Sequence, residues 1–209
     1  MDINIKLKKL EDLYKIYDDF VKNFNFSCKK YCSTCCTCNV TMTTLEGHYI
    51  NKYLDNFKKL DLKIYVHKKR FKPQITINQI GYLCIKGQEI PIEENDPSWG
   101  ECVLLENGEC PIYQVRPFSC RSFLSISNCK DNGSAYVDPF ILTVSEVLFQ
   151  FIEHIDSDGY TGNLIDILIK LQGNEIKLIP NRHIHALMIP PENREKIKPL
   201  ISEIHKCLK

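Results

Sequence analysis

Eleven cysteines in 209 residues are the chemistry-bearing feature of this chain, and eight of them fall in two groups. The first is Cys28-Lys-Lys-Tyr-Cys32-Ser-Thr-Cys35-Cys36-Thr-Cys38, a stretch with no apolar periodicity of its own. The second is Cys102, Cys110 and Cys120, with the run Cys110-Pro-Ile-Tyr-Gln-Val-Arg116-Pro-Phe-Ser-Cys120-Arg121 at its end. Thiolates are soft ligands suited to zinc, copper(I) and iron–sulfur centres, and a structural zinc or a cubane takes four protein ligands. Spacing such as Cys28-x3-Cys32-x2-Cys35 delivers several ligands on one short loop, which lowers the entropy lost in assembling a site. Two such groups in one chain predict metal binding in preference to a single reactive thiol pair.

Within the first group, Cys35 and Cys36 are neighbours, and adjacent side chains diverge on extended or helical backbone. They are therefore expected to serve different partners: two metal ions, or one ligand and one thiol that packs or exchanges. Cys38 creates a further Cys35-x2-Cys38 pair and leaves the ligand set of the first loop open. Thiolates around a divalent ion leave excess negative charge, and Lys29, Lys30, Arg116 and Arg121 are placed to donate to sulfur or neutralise it. Cys84, Cys129 and Cys207 lack chelating neighbours and read as small packing residues. His48 reads as a surface or core histidine. On a strand, His183-x-His185 would point both rings to one face, and the two read as a solvated or packing pair. Tyr113 is expected in the core beneath the cluster, Trp99 in surface packing, and Lys68-Lys69-Arg70 on a solvated face.

These residues need elements to position them. Leu7, Leu10, Leu13, Tyr14, Tyr17, Phe20, Val21 and Phe24 have helical spacing and predict an amphipathic helix over 7–24. Residues 28–38 read as a loop. A capping box at Thr43-Thr44-Leu45-Glu46 opens a second helix that should end near 58–61. Residues 62–92 alternate with period two at Leu62, Ile64 and Val66 and again at Ile75 and Ile77, which predicts short strands or extended segments. Asn107-Gly108 signals a tight turn that brings Cys102 toward Cys110. Helices are expected from Asp138-Pro139 to about 158 and from Asn163 to Gly173. Residues 175–189 predict a short hairpin. Pro190-Pro191-Glu192 should start a last helix that Pro199 kinks or restarts.

With these positions assigned, the cysteine motifs resemble a known family, the YkgJ-type cysteine-cluster proteins, described as a zinc- or iron-chelating domain. Cys28, Cys32, Cys35 and Cys36 match its first motif, Thr41 or Thr44 with Glu46 the middle, and Cys102 with Cys110 to Arg121 the last. The resemblance covers about residues 28–125. It implies that Cys28, Cys32, Cys35, Cys36, Cys102, Cys110 and Cys120 form the site. Some relatives of this family resemble flagellin lysine N-methylases, which implies an iron–sulfur, S-adenosylmethionine-dependent enzyme acting on protein as the alternative. The spacing Cys28-x3-Cys32-x2-Cys35 is also that of radical S-adenosylmethionine enzymes. Against that alternative, the expected elements do not form repeated βα units, and no G-x-G-x-x-G loop is present.

Composition bounds the rest. Hydrophobic residues make up 44% and charged residues 25%, and 27 Lys+Arg stand against 26 Asp+Glu. That balance predicts a globular core and no general attraction to nucleic acid or anionic membrane. No apolar run approaches the ~20 residues that span a bilayer, and the first residues lack a secretory layout. A cytoplasmic protein is expected, in which clustered thiols bind metal instead of pairing as disulfides. The fold expected is α+β, a mostly helical single domain over 1–209 with short strands around a cysteine-ligated metal centre. Its metal-binding core would lie at about 28–125, with a helical C-terminal extension over 139–209. Zinc and iron, an iron–sulfur cluster included, both remain open, as do a binding module and an enzyme with a protein substrate or partner.

Overall fold

The computed structural model describes residues 1–29, 32–54, 62–65 and 67–209. It is mostly helical, with one small antiparallel sheet. Helix α1 (Ile3–Val21) is capped by the Asp2 side chain, which accepts from Asn4 N. Its inward stripe of Leu7, Leu10, Leu13, Tyr14 and Tyr17 is buried as the periodicity predicts. Strand β1 (Thr41–Thr43) runs directly into α2 (Thr44–Leu54). The capping box is formed: Glu46 N donates to Thr43 Oγ1 at 3.3 Å, while Thr43 N donates to Glu46 Oε2 at 2.7 Å. The expected end of this helix near 58–61 lies outside the described residues.

Residues 62–92 depart from the strand expectation. Leu62–Tyr65 form one 3-10 turn, and Ile77–Lys86 form helix α3. The alternation there is too short to outweigh local capping. Thr76 and Gln79 make a reciprocal capping box, and Gly87 ends the helix in the left-handed conformation (φ 61°) with its N–H on the Leu83 and Cys84 carbonyls. The run 68–70 is also divided. Lys68 and Lys69 are exposed, whereas Arg70 is buried and its Nη2 lies 2.5 Å from Asp166 Oδ1.

Two short helices follow, α4 (Phe118–Arg121) and α5 (Cys129–Asn132), then the long α6 (Pro139–Ile155) with Asp138 as its cap. Strand β2 (Tyr160–Asn163) leads into α7 (Leu164–Leu171), capped by Asn163 as expected. Strand β3 (Ile179–Pro180) completes the sheet, whose order is β1-β2-β3 and whose pairs are antiparallel. The hairpin expected over 175–189 does not form. Buried α6 side chains take the backbone groups that a second strand would have used. Gln150 Nε2 donates to Ala186 O at 2.8 Å and Gln150 Oε1 accepts from Met188 N at 2.9 Å, while Glu153 Oε1 accepts from Arg182 N at 2.7 Å. The chain ends in α8 (Arg194–Leu208), which runs through Pro199 without restarting.

The core has two parts. One joins α1, α6 and α8 with Leu45 and Phe118. The other joins α2 and α7 with Met42, Leu104, Ile112 and Val115. Gly47 allows α2 to lie against α7, because a Cβ there would meet Ile167 Cγ2 at 2.6 Å. Among the described residues no helix is long and apolar enough to cross a membrane.

Candidate metal centre

The two cysteine segments are joined through their backbones. Cys102 N donates to Cys36 O at 2.9 Å, and Cys38 N donates to Gly100 O at 2.9 Å, which frames an antiparallel bridge between Thr37 and Glu101. The Asn107-Gly108 turn is formed as predicted, with both residues at positive φ (51° and 78°), and Glu106 and Glu109 exchange two backbone bonds at 2.9 Å. Positive φ at both central positions is the tight hairpin turn that the Asn-Gly pair favours. It folds the strand after Cys102 back so that Cys110 returns to the same place.

Helix α4 brings Cys120. Its segment is anchored by Glu46, whose Oε1 accepts from Phe118 N at 2.7 Å and from Tyr14 Oη at 2.8 Å. Ser119 Oγ donates to Thr41 O at 2.6 Å. One buried carboxylate thus ties α1, α2 and the segment bearing Cys120. Burial pushes the Glu46 carboxyl upward, and these donors oppose the shift.

The thiols interact through space. Burial pushes the Cys120 thiol well up, the thiols of Cys102, Cys110 and Cys35 add to the shift, and Arg116 opposes it. Burial also raises Cys102 and Cys110; Cys110 adds to the shift at Cys102, and Arg116 opposes the shift at Cys110. Cys35 is raised chiefly by a hydrogen bond with the Cys36 thiol. The loop is neither extended nor helical there: Cys36 N bonds to Ser33 O at 2.9 Å and Thr37 N to Cys35 O at 3.0 Å.

Cys28 and Cys32 lie to one side of this group. The Cys28 thiol is raised by burial, with Cys129, Cys35 and Cys32 adding and the Ser125 N–H, 3.1 Å from its sulfur, opposing. Cys129 therefore neighbours Cys28, and it is buried in the core as its packing role predicts. No chelating partner flanks it in sequence, and only the return of 123–129 alongside Ser27 and Cys28 brings it in. Cys38 sits at the edge, its thiol directed at Asn39 Oδ1 (3.4 Å) and Lys69 O (3.6 Å). Cys84 is exposed, contrary to a packing role, because it lies on the outer face of α3, whereas Cys207 packs partly buried against α8's core partners.

Of the expected cations, Arg116 is the one whose charge favours the thiolates of Cys35, Cys110 and Cys120. It stacks on Tyr113, its Cζ 3.9 Å from the ring centroid, and donates to Tyr113 O at 2.7 Å. Arg121 does not serve sulfur. It is buried between Asp18, at 3.0 Å, and the Tyr14 ring, and it donates to the Gln114 and Arg116 carbonyls. Lys29 is exposed, and Lys30 lies outside the described residues. His48 is exposed on α2. His183 and His185 part company: the first meets His154 and the second the Tyr82 ring.

Thiolate sulfur is a soft donor of the kind a thiophilic ion takes, and burial holds several of these thiols protonated, so an ion would have to displace those protons. Among the described residues no three Cys, His, Asp or Glu side chains already stand close enough to hold a metal ion. Comparison with protein-family models, curated proteins and solved structures finds no match to this chain, so the resemblance rests on its motif residues.

Proposed function

We propose that this chain is a cysteine-cluster metal-binding protein that holds zinc or iron, the latter as an ion or an iron–sulfur centre. Cys35, Cys36, Cys102, Cys110 and Cys120 form the inner donor group, and Cys28 and Cys32 an outer one. What supports the reading is that two segments far apart in sequence pair directly through the backbones of Cys36, Cys38, Gly100 and Cys102. Seven motif cysteines exceed one four-ligand site and fall one short of two. Arg116 offsets the charge that the thiolates leave. The bound ion would cross-link loop to hairpin, and binding would stabilise the fold.

An enzyme acting on protein would need a substrate pocket at the cluster. The cavity of about 670 Å³ between α1, α6 and α8 is lined by no cysteine and adds nothing to that alternative. Metal content of Cys120→Ser and Cys84→Ser, set against the parent chain, tests the binding reading. Cys120→Ser is expected to lose bound metal and Cys84→Ser to keep it. Equal metal in all three chains would overturn the assignment.

A further inference from the structure

The segment 182–188 makes a wall. Instead of pairing as a strand it is pinned to α6 at three backbone donors: Arg182 N on Glu153 Oε1 at 2.7 Å, Ile184 N on His154 Nδ1 at 3.3 Å and Met188 N on Gln150 Oε1 at 2.9 Å. Fixed at both ends and within its length, it encloses the cavity of about 670 Å³ together with the start of α1, the end of α6 and the end of α8.

The lining is divided in character. Phe151, Ile155, Ile184, Leu187 and Leu208 give apolar walls, and the His205 ring stands edge-on to Phe151 with centroids 5.5 Å apart. The charges are mostly positive. Lys6 and Lys9 enter from α1, and Asp158 is the one acidic side chain among the described lining residues. Lys6 takes up Asp158 and also lies 4.0 Å from Asp156. Lys9 forms no ion pair among the described residues. Its ammonium donates to Leu208 O, which uses one of three N–H donors.

We propose that this cavity binds a carboxylate carried on an apolar chain, with the carboxylate on Lys9 and the chain against Phe151, Ile184 and Leu187. An apolar pocket with a few placed polar groups is the usual form of a small-molecule site. One unneutralised ammonium matches one negative charge, and a charge-assisted hydrogen bond between apolar walls is stronger than the same bond in open water. A cationic head group would meet Lys9 as a like charge. The site is independent of the thiol reading, since no cysteine lines the cavity among the described residues.

Calorimetric titration of the full chain with octanoate, and separately with 1-octanol and octyltrimethylammonium, tests the site. The parent should take up one equivalent of octanoate, bind octanol more weakly and bind the cation least. Lys9→Met keeps the stem and removes the charge. It should weaken octanoate about tenfold, the order of one charge-assisted hydrogen bond, and leave octanol unchanged. Lys8→Met, on the exposed face of α1, should bind octanoate as the parent does. Thermal unfolding of each variant checks that it is folded, and the comparison of head groups on the parent needs no variant. No saturable uptake of octanoate by the parent would overturn the proposal, as would the cation binding as tightly as octanoate. Equal octanoate affinity in Lys9→Met and the parent, or equal losses in Lys8→Met and Lys9→Met, would overturn it as well.

Discussion

Glu46 shows what a single residue can hold and how much of that a sequence discloses. Its place three residues after a threonine at a helix start was legible as a cap. Its bonds to Tyr14 Oη and Phe118 N were not, because both partners are distant in sequence. The same limit hid the contact of Cys129 with Cys28, which lies about a hundred positions earlier. Glu46 is 3% exposed, so removing its carboxylate strands several buried donors at once. Glu46→Ala is expected to cost about 3 kcal/mol in chemical denaturation, the order set by losing charge-assisted hydrogen bonds to a buried group. Glu46→Gln should recover part of that, since one amide oxygen still accepts. A Glu46→Ala chain as stable as the parent would remove Glu46 from its anchoring role.

Among the elements, those with long periodic stripes and clear caps were legible: α1, α6, α7 and the Asn107-Gly108 turn stand where the residues put them. The failures were local signals outvoted by others. Period-two alternation at Ile75 and Ile77 lost to the capping box at Thr76 and Gln79. The hairpin over 175–189 lost to Gln150 and Glu153, which satisfy its backbone from a helix and so remove the need for a strand partner. Gln150 is fully buried and serves Ala186 and Met188 together. Gln150→Leu keeps the bulk but leaves a carbonyl and an N–H without partners, so it should destabilise by roughly 2 kcal/mol. Amide exchange should localise the effect, with the Met188 amide losing protection first. Unchanged protection at Met188 would show that the segment is held by its apolar contacts instead.

At the scale of the molecule, the two core halves meet around Asp156. Its carboxylate accepts from Thr44 Oγ1 at 2.7 Å, Leu45 N at 3.0 Å and Asn181 Nδ2 at 3.1 Å, with Lys6 Nζ 4.0 Å away and Asp158 beside that lysine. Burial wins over these donors and raises its pKa from 3.8 to about 6. The unfolded chain therefore releases this proton first as pH rises. Stability from Asp156 is greatest below about pH 4 and declines until about pH 6, by at most ~3 kcal/mol. Asp156→Asn cannot ionise, so the stability difference between parent and variant should shift in the variant's favour from pH 4.5 to pH 7. Parallel pH profiles would contradict that sign.

The proposed function turns on what the cysteines hold. Purification without oxygen, followed by elemental analysis and an absorption spectrum of the untreated protein, tests this most directly. Stoichiometric zinc with no visible colour, or iron with sulfide and broad absorption near ~400 nm, is the expected result. Protein that folds cooperatively and carries neither metal, with all its thiols freely titratable, would contradict it.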